Sequence, residues 1–349
     1  NIKFGIKILN MQDSIEAALD VLDGREESMN EILKRPLFYD SPEIRQVHSD
    51  ITSSRNALLR IANDLVGTVN NFSSYGPSIY KKHNLAEVGE VSEKGFVKNL
   101  KLSNKSDQKL LVLGSEILVG NKLKQDRVID ETVIVPENST TTIRVSCCEK
   151  NRWSPTVSEN ISLSETLFFS KGRANNAEDI YKNNKTDQFR VWEDIDEKLE
   201  DYEIKSFTSS IEQIYKKRRS NVEEIVNFFQ PCENDLGVVI AIGSRLVSLD
   251  VFSSNKILKI YLPRLIRSVC LENFKRTNYK SFLKTKDVYK FLRLIEHADK
   301  RTYKSKDTTL SLGEYLRFND RLVTGLVLTL NHKIVHFSAS FKEPSTPPD

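Results

Sequence analysis

"ETVIVPENSTTTIRVSCCEKNRW", residues 131–153, is the stretch that decides how this chain folds. Apolar side chains alternate with hydroxyl-bearing and charged ones on both sides of Pro136, a period of two that belongs to strands and not to helices. Ile143, Val145 and Cys147 fall on one face, and Arg144, Ser146 and Cys148 on the other. The parity predicts Cys147 inside a core and Cys148 as the more accessible thiol. The strand then runs into Glu149, Arg152 and Trp153, two charges and an indole at the point where the chain leaves its sheet.

Upstream, "GFVKNLKLSNKSDQKLLVLGSEILVG" (95–120) repeats the design, with a polar turn at Asn104–Asp107. The pattern predicts two antiparallel hairpins in a β-sandwich or layered sheet. Helical spacing takes over at Val191, Trp192, Ile195 and Leu199, and again at Ile211, Ile214, Val222, Ile225 and Phe229. Strand patterns return in "GVVIAIGSRLVSLDVF" (237–252) and "GLVLTLNHKIVHFSAS" (325–340), two hairpins of like shape, each with a polar turn. Ahead of all these, residues 12–34 carry apolar groups near helical spacing, and Ile44, Ile51, Leu58 and Leu65 recur every seven residues. The expected fold class is therefore α+β: an antiparallel β-sandwich or layered sheet with helical insertions, plus an N-terminal helical hairpin. The expected organisation is a hairpin over 1–83, an α+β domain over 84–341 and a disordered tail over 342–349. Within the domain, 90–158 is β-rich, 159–230 helical and 231–341 mixed.

A chain of 349 residues with 39% hydrophobic and 29% charged residues is an ordinary globular protein with more than one core. No apolar run is long enough for a membrane helix, and the start "NIKFGIKILNMQDS" lacks a secretion signal, so no membrane partner is expected. Four cysteines in so long a chain build no disulfide framework, which points to a reducing, cytoplasmic setting. Neither CxxC nor HExxH occurs. His332 and His336 lie four residues apart on a strand, about 13 Å, too far to share an ion within it. No metal is expected. No cofactor is either, because "GSEILVGNK" (114–122) misses the spacing and the hydroxyl of a phosphate loop.

The charge is unevenly spread. Residues 256–306 hold 15 Lys/Arg against 4 Asp/Glu, interleaved with Tyr261, Phe274, Tyr279, Phe282, Tyr289, Phe291 and Tyr303. Cations between aromatic faces suit nucleic acid. Helical spacing alone explains most of the same pattern, as amphipathic helices with a wet basic face and aromatic groups turned inward. The acidic counterpart is "WEDIDEKLEDYE", 192–203.

Several ordered blocks carry a resemblance. "GSEILVGNKLKQDR" (114–127) follows the pattern GEExxGxKQxR, with Glu116, Gly120, Lys122 and Arg127 in matching places. "VPENSTTTIRVSCCEKNRW" (135–153) follows VPxxSxxxIxVSCxExxRW, and "QFRVW", "GVVIAIGSRLVSLDVF", "LGEYLRF" and "VHF" continue the likeness in order across 84–341. The chain resembles the ARG and rhodanese-phosphatase-superfamily-associated protein domain, an intracellular and mainly bacterial family. Ser115 replaces the pattern's first Glu, and an extra residue at Leu123–Lys124 shifts the register before Gln125. The resemblance implies a link to NAD or ADP-ribose chemistry in stress or anti-phage defence.

Physical reasoning at the strand ends supplies the candidate site. Glu116, Lys122, Arg127, Glu149 and Arg152 would line one polar pocket, with Trp153 as its apolar lid. Lys122, Arg127 and Arg152 would hold an anion, and Glu149 or Glu116 would act as base or bind a ribose hydroxyl. The same residues would equally serve as a structural ion network. Asp250 and His336, with Ser248, form a second candidate group on comparable faces of the two late hairpins. The functional expectation is a ligand-sensing or adaptor module that binds an anionic nucleotide. The alternatives are a hydrolase of ADP-ribosyl or phosphorylated substrates, and a structural oligomer-forming scaffold. Self-association or a protein partner would use residues 12–75, and nucleic acid would use 256–306.

Overall fold

The computed structural model describes residues 5–7, 86–91, 98–120, 125–150, 161–243, 245–272, 285–304 and 312–342. The expected N-terminal helices, and Lys122, Arg152 and Trp153, lie outside these residues. The fold is α+β with antiparallel sheets. Strand β1 (Gly5–Lys7) belongs to the edge of a sheet built mainly by the far end of the chain.

A β-sandwich comes next: β2 (Ala86–Glu90), β3 (Asn99–Asn104), β4 (Leu110–Val112), β5 (Glu116–Gly120), β6 (Arg127–Ile129), β7 (Val133–Val135), β8 (Ser139–Cys147) and β9 (Ile161–Leu167). Six strands join in the order β2-β3-β8-β6-β5-β9, and β4 pairs with β7. The two expected hairpins do not form. The strand positions are as expected, but β3 pairs with β8 (Leu100 opposite Ile143) and β4 with β7 (Leu111 opposite Ile134). Each polar turn therefore carries the chain from one layer to the other, and the two resulting arches pair with each other. Asn104 is the physical reason. Buried at this corner, its amide donates to the carbonyls of Gln108 (2.7 Å) and Pro136 (2.8 Å) and accepts from the Ser106 amide (3.1 Å) and hydroxyl (2.8 Å). These bonds bend the chain where a hairpin would have doubled it back. Leu100, Leu102, Val112, Val133, Ile143 and Val145 fill the interior.

Three helices follow: α1 (Ser170–Asn183), α2 (Gln188–Asp201) and α3 (Ile211–Phe228). Asp187 caps α2 by accepting from the Phe189 amide (2.9 Å), and the helix buries Val191, Ile195 and Leu199 as its spacing predicts. Arg190 reaches back to Asp179 (2.7 Å), Asn175 (2.7 Å) and Glu178 (3.0 Å), while Asn175 donates to Asp194 (2.7 Å). These bonds lock α2 to α1.

The last part supplies β10 (Gly237–Ile242), β11 (Arg245–Phe252), α4 (Asn255–Cys270), α5 (Thr285–His297), β12 (Asp299–Lys304), β13 (Glu314–Asn319), β14 (Val323–Leu330) and β15 (Lys333–Phe341). The sheet order is β1-β10-β11-β15-β14-β13-β12. Both late hairpins form as expected, and β11 joins them by pairing with β15. Asn331 and His332 have φ of 52° and 62°, the left-handed pair that makes a two-residue turn compatible with strand twist.

The two faces of this seven-stranded sheet differ. Val239, Leu249, Val251, Phe318 and Ala339 pack against Val288, Phe291 and Ile295 of α5. The opposite face carries Ser248, Asp250, Thr324, Arg317, His336 and Ser340, all buried under α1, α4 and a loop of the sandwich. α4 fills the space between sandwich and sheet with Leu258, Tyr261, Leu262 and Leu265. In the described part of the basic window Tyr261 and Phe291 are core residues, and Arg264 and Arg267 pair with Glu116 and Glu223. Lys256, Lys259 and Lys290 stay exposed. Among the described residues no helix is long and apolar enough to cross a membrane.

Candidate functional site

The polar face of the sheet meets α1 in a buried seam. Arg173 (6% exposed) extends from α1, and its Nη2 donates to Asp250 Oδ1 (2.8 Å) and to the Ser338 hydroxyl (3.2 Å). Asp250 is fully buried. Burial alone would raise its pKa, but the Arg173 charge and the His336 hydrogen bond outweigh that and hold it below the usual carboxylate range. His336 Nε2 lies 3.4 Å from the same Oδ1, and its ring stacks on Phe252 at 4.9 Å. Burial lowers the His336 pKa, more than its bond to Asp250 raises it, so the imidazole is neutral at pH 7. With Nε2–H donating to the carboxylate, Nδ1 is left to accept from the Thr132 hydroxyl at 3.2 Å. Thr132 in turn accepts from the Gly114 amide (3.0 Å). The result is a directional chain, Gly114 to Thr132 to His336 to Asp250.

Local structure explains how these side chains meet. β11 and β15 are paired with Asp250 opposite Ser338 and Phe252 opposite His336, so Asp250 and His336 share a face. Thr132 arrives from the sandwich on a loop fastened to the sheet by Glu131, which takes two bonds from Arg317 (2.7 and 2.9 Å) and one from Arg144 (2.9 Å). Gly172 sets the entry of α1, because a Cβ there would fall 2.1 Å from the Phe168 ring. The segments 113–115 and 131–132 also pass too closely for a side chain at Gly114, whose Cβ would lie 2.9 Å from the Thr132 nitrogen.

The seam is not saturated. Among the described residues, twelve buried side-chain polar atoms lack a hydrogen-bond partner, and five of them are here: Ser170 Oγ, Arg173 Nη1, Asn176 Nδ2, Ser248 Oγ and Asp250 Oδ2. Ser170 and Asn176 stand about one helical turn to either side of Arg173, and Ser248 is the same-face neighbour of Asp250. Buried polar atoms are nearly always paired, so such a concentration marks a place for water or a ligand.

The pocket expected at the strand ends is distributed differently. Glu116 begins β5 and turns toward α4, where its carboxylate meets Tyr261 Oη (2.9 Å), Arg264 Nη1 (2.8 Å) and the Leu113 amide (2.9 Å). Arg127 lies opposite Leu118 and Cys147, hence inside the sandwich, with Gln125 Oε1 at 3.2 Å and its Nε without a partner. Glu149 accepts from the Asp126 amide (3.1 Å), beside Arg127. Arg127 and Glu149 thus share one rim, while Glu116 sits at the other end of its strand. Cys147 is buried as its parity predicts. Cys148 is buried too, against the expectation, because its face of the sheet is covered by the main core. Burial pushes the Cys147 thiol up to about 11 and the Cys148 thiol well above its ordinary value, so neither is a thiolate at neutral pH. Sequence reasoning finds Asp250 and His336 but misses Arg173 and Thr132. The signal for Arg173 is the run Ser170, Arg173, Asn176 and Asp179, polar groups three apart in a helix that has to be covered.

The family model for the ARG and Rhodanese-Phosphatase-superfamily-associated Protein domain matches residues 77–340. The chain belongs to this family. The family domain spans both the sandwich and the seven-stranded sheet, so the seam, the Glu116 cluster and the Arg127 rim all lie within it. Comparison with curated proteins and with solved structures finds no match.

Proposed function

We propose that the protein is a ligand-sensing or adaptor module whose buried seam receives the anionic group of a small nucleotide-type compound. The observation that carries the reading is a set of four unpartnered groups, Ser170 Oγ, Arg173 Nη1 and Asn176 Nδ2 on α1 and Ser248 Oγ on the sheet; the fifth atom, Asp250 Oδ2, belongs to an ionised carboxylate whose charge Arg173 balances. Arg173 Nη1 and Asn176 Nδ2 are donors and the two serine hydroxyls adapt, which is the chemistry that accepts phosphate or carboxylate oxygens. A family name that records association with rhodanese- and phosphatase-superfamily proteins agrees with a module working beside an enzyme. The ADP-ribose class is the substrate chemistry that the family resemblance suggests for the guest. Enclosure favours sensing over turnover: Thr132 and His336 are 2% exposed and Asp250 0%, so a guest enters only when α1 shifts. Because α2 is locked to α1, that shift reaches the protein surface.

One observation favours a hydrolase instead. Thr132 hydroxyl, neutral imidazole and carboxylate stand in the order of nucleophile, base and orienting group. Calorimetric and thermal-unfolding titrations with ADP-ribose, NAD and inorganic phosphate, followed by product analysis, separate the readings. A sensor gives saturable binding with a raised Tm, no product, and at least about tenfold weaker binding in the mild variants Ser248→Ala and Asn176→Ala. Product formation abolished by Thr132→Val would establish the hydrolase, and no response to any of the three compounds would remove both.

A further inference from the structure

A groove of about 840 Å³ opens on the end of α2 and the loop after it. Leu199 and Ile204 contribute apolar surface, Glu200 and Glu203 make it acidic against Lys205, Asp196 is paired with Lys150 (3.2 Å), and Phe207 stands 89% exposed in its lining. The loop is held in shape. Glu203 and Ser209, both at φ 52°, bracket it in left-handed backbone that non-glycine residues adopt only when their surroundings impose it. The groove is thus preformed.

A basic patch lies directly beside it. In the "YKKRR" run of α3, Lys216, Lys217 and Arg219 are exposed, and Lys217 Nζ donates to the Tyr202 carbonyl at 3.3 Å, which places the run against the groove-bearing end of α2. Arg219 is half-engaged by the exposed Glu165 (3.1 Å), a pair too solvated to neutralise the patch. Adjacent acidic and basic patches on one face are self-complementary under a two-fold rotation: the acids of one copy meet the cations of the other, and the reverse contact forms at the same time.

We propose that this face is an isologous interface through which two copies of the chain associate, the α3 cations of each copy docking at the acidic groove of the other. The interface is built from residues other than 12–75 and stands whether or not the seam takes a ligand.

Sedimentation velocity on the full chain tests it through charge reversal. The wild type is expected to dimerise at micromolar concentration and to dissociate as salt rises. The variants Glu200→Lys/Glu203→Lys and Lys216→Glu/Lys217→Glu each place like charges across both contacts, so each alone should dimerise at least about tenfold more weakly. Mixed in equal amounts they restore opposite charges at both contacts, and the heterodimer should return to wild-type strength. Circular dichroism checks that both variants keep the fold, as substitutions at exposed positions should. A monomeric wild type at all concentrations overturns the proposal. So does a dimer indifferent to both reversals, or a mixture that fails to recover although both variants are folded.

Discussion

The two faces of the seven-stranded sheet are buried differently: one is apolar throughout, and the other sets a polar seam under α1 beside an apolar part, Val238, Ile240, Phe252 and Leu328, that shares a core with α4. On one, α5 covers Val239, Leu249, Val251 and Ala339 with Val288, Phe291 and Ile295, contacts that are non-directional and tolerate repacking. On the other, α1 covers Ser248, Asp250, His336 and Ser338 with Ser170, Arg173 and Asn176, where each group needs a partner at the right angle. An apolar face stabilises in proportion to the area it hides. A polar one does so only when its hydrogen bonds are complete, and here five of its side-chain atoms have no partner within the described protein.

That contrast breaks most sharply at Asp250. Removing its carboxylate in Asp250→Ala strands the Arg173 charge and should cost about 3–5 kcal/mol in urea unfolding, whereas the apolar double change Arg173→Met/Asp250→Leu should recover most of that loss. If the single and double changes cost the same, the pair is not the electrostatic centre of the seam. On the apolar face, Phe291→Leu keeps the chemistry and loses little volume, so it should cost less than about 1.5 kcal/mol and leave ligand titrations unchanged. A ligand effect there would erase the distinction between the faces. The gentlest test is pH. Below about 6.5 the unfolded chain protonates a histidine that the folded chain keeps neutral, so the His336 contribution is complete above that pH and declines as pH falls toward the depressed folded value. The slope from this one group is at most about 1.4 kcal/mol per pH unit, and His336→Gln should remove it from urea-unfolding profiles. Asp130 runs the other way. Its carboxyl is pushed up to about 6 by desolvation, so its contribution is lost as pH rises from about 3.8 through that value.

Much of this was legible in the residues. Period-two alternation locates β8, β10, β11, β14 and β15, and the like hairpins 237–252 and 325–340 put Asp250 and His336 on comparable faces; the β11–β15 pairing that brings them onto one face is not written in either hairpin. Partner choice was not legible in the sandwich, because strand, polar turn and strand read the same for a hairpin and for an arch. The deciding group is the Asn104 amide, whose acceptors Gln108 and Pro136 come from two different turns. The parity of Cys148 was right and its exposure wrong, since alternation tells which face a side chain takes and not what lies over it. Glu116 and Arg127 looked like neighbours along the chain, yet β5 and β6 run antiparallel with Leu118 opposite Arg127, which sends the glutamate toward the opposite end. Arg173 was hidden for a further reason: a polar stripe on a helix reads as solvent-facing until a polar sheet covers it.

The clasp between the halves has a practical corollary. Three residues of the C-terminal half, Leu312, Tyr315 and Arg317, grip one short sandwich segment, through the Ile134 carbonyl (2.9 Å), the Thr132 carbonyl (2.8 Å) and the Glu131 carboxylate. A gene cut between β9 and α1 would leave each fragment with raw, desolvation-prone ends of that clasp. Neither piece is then a natural folding unit, and co-expressed fragments should find each other while separately purified ones aggregate.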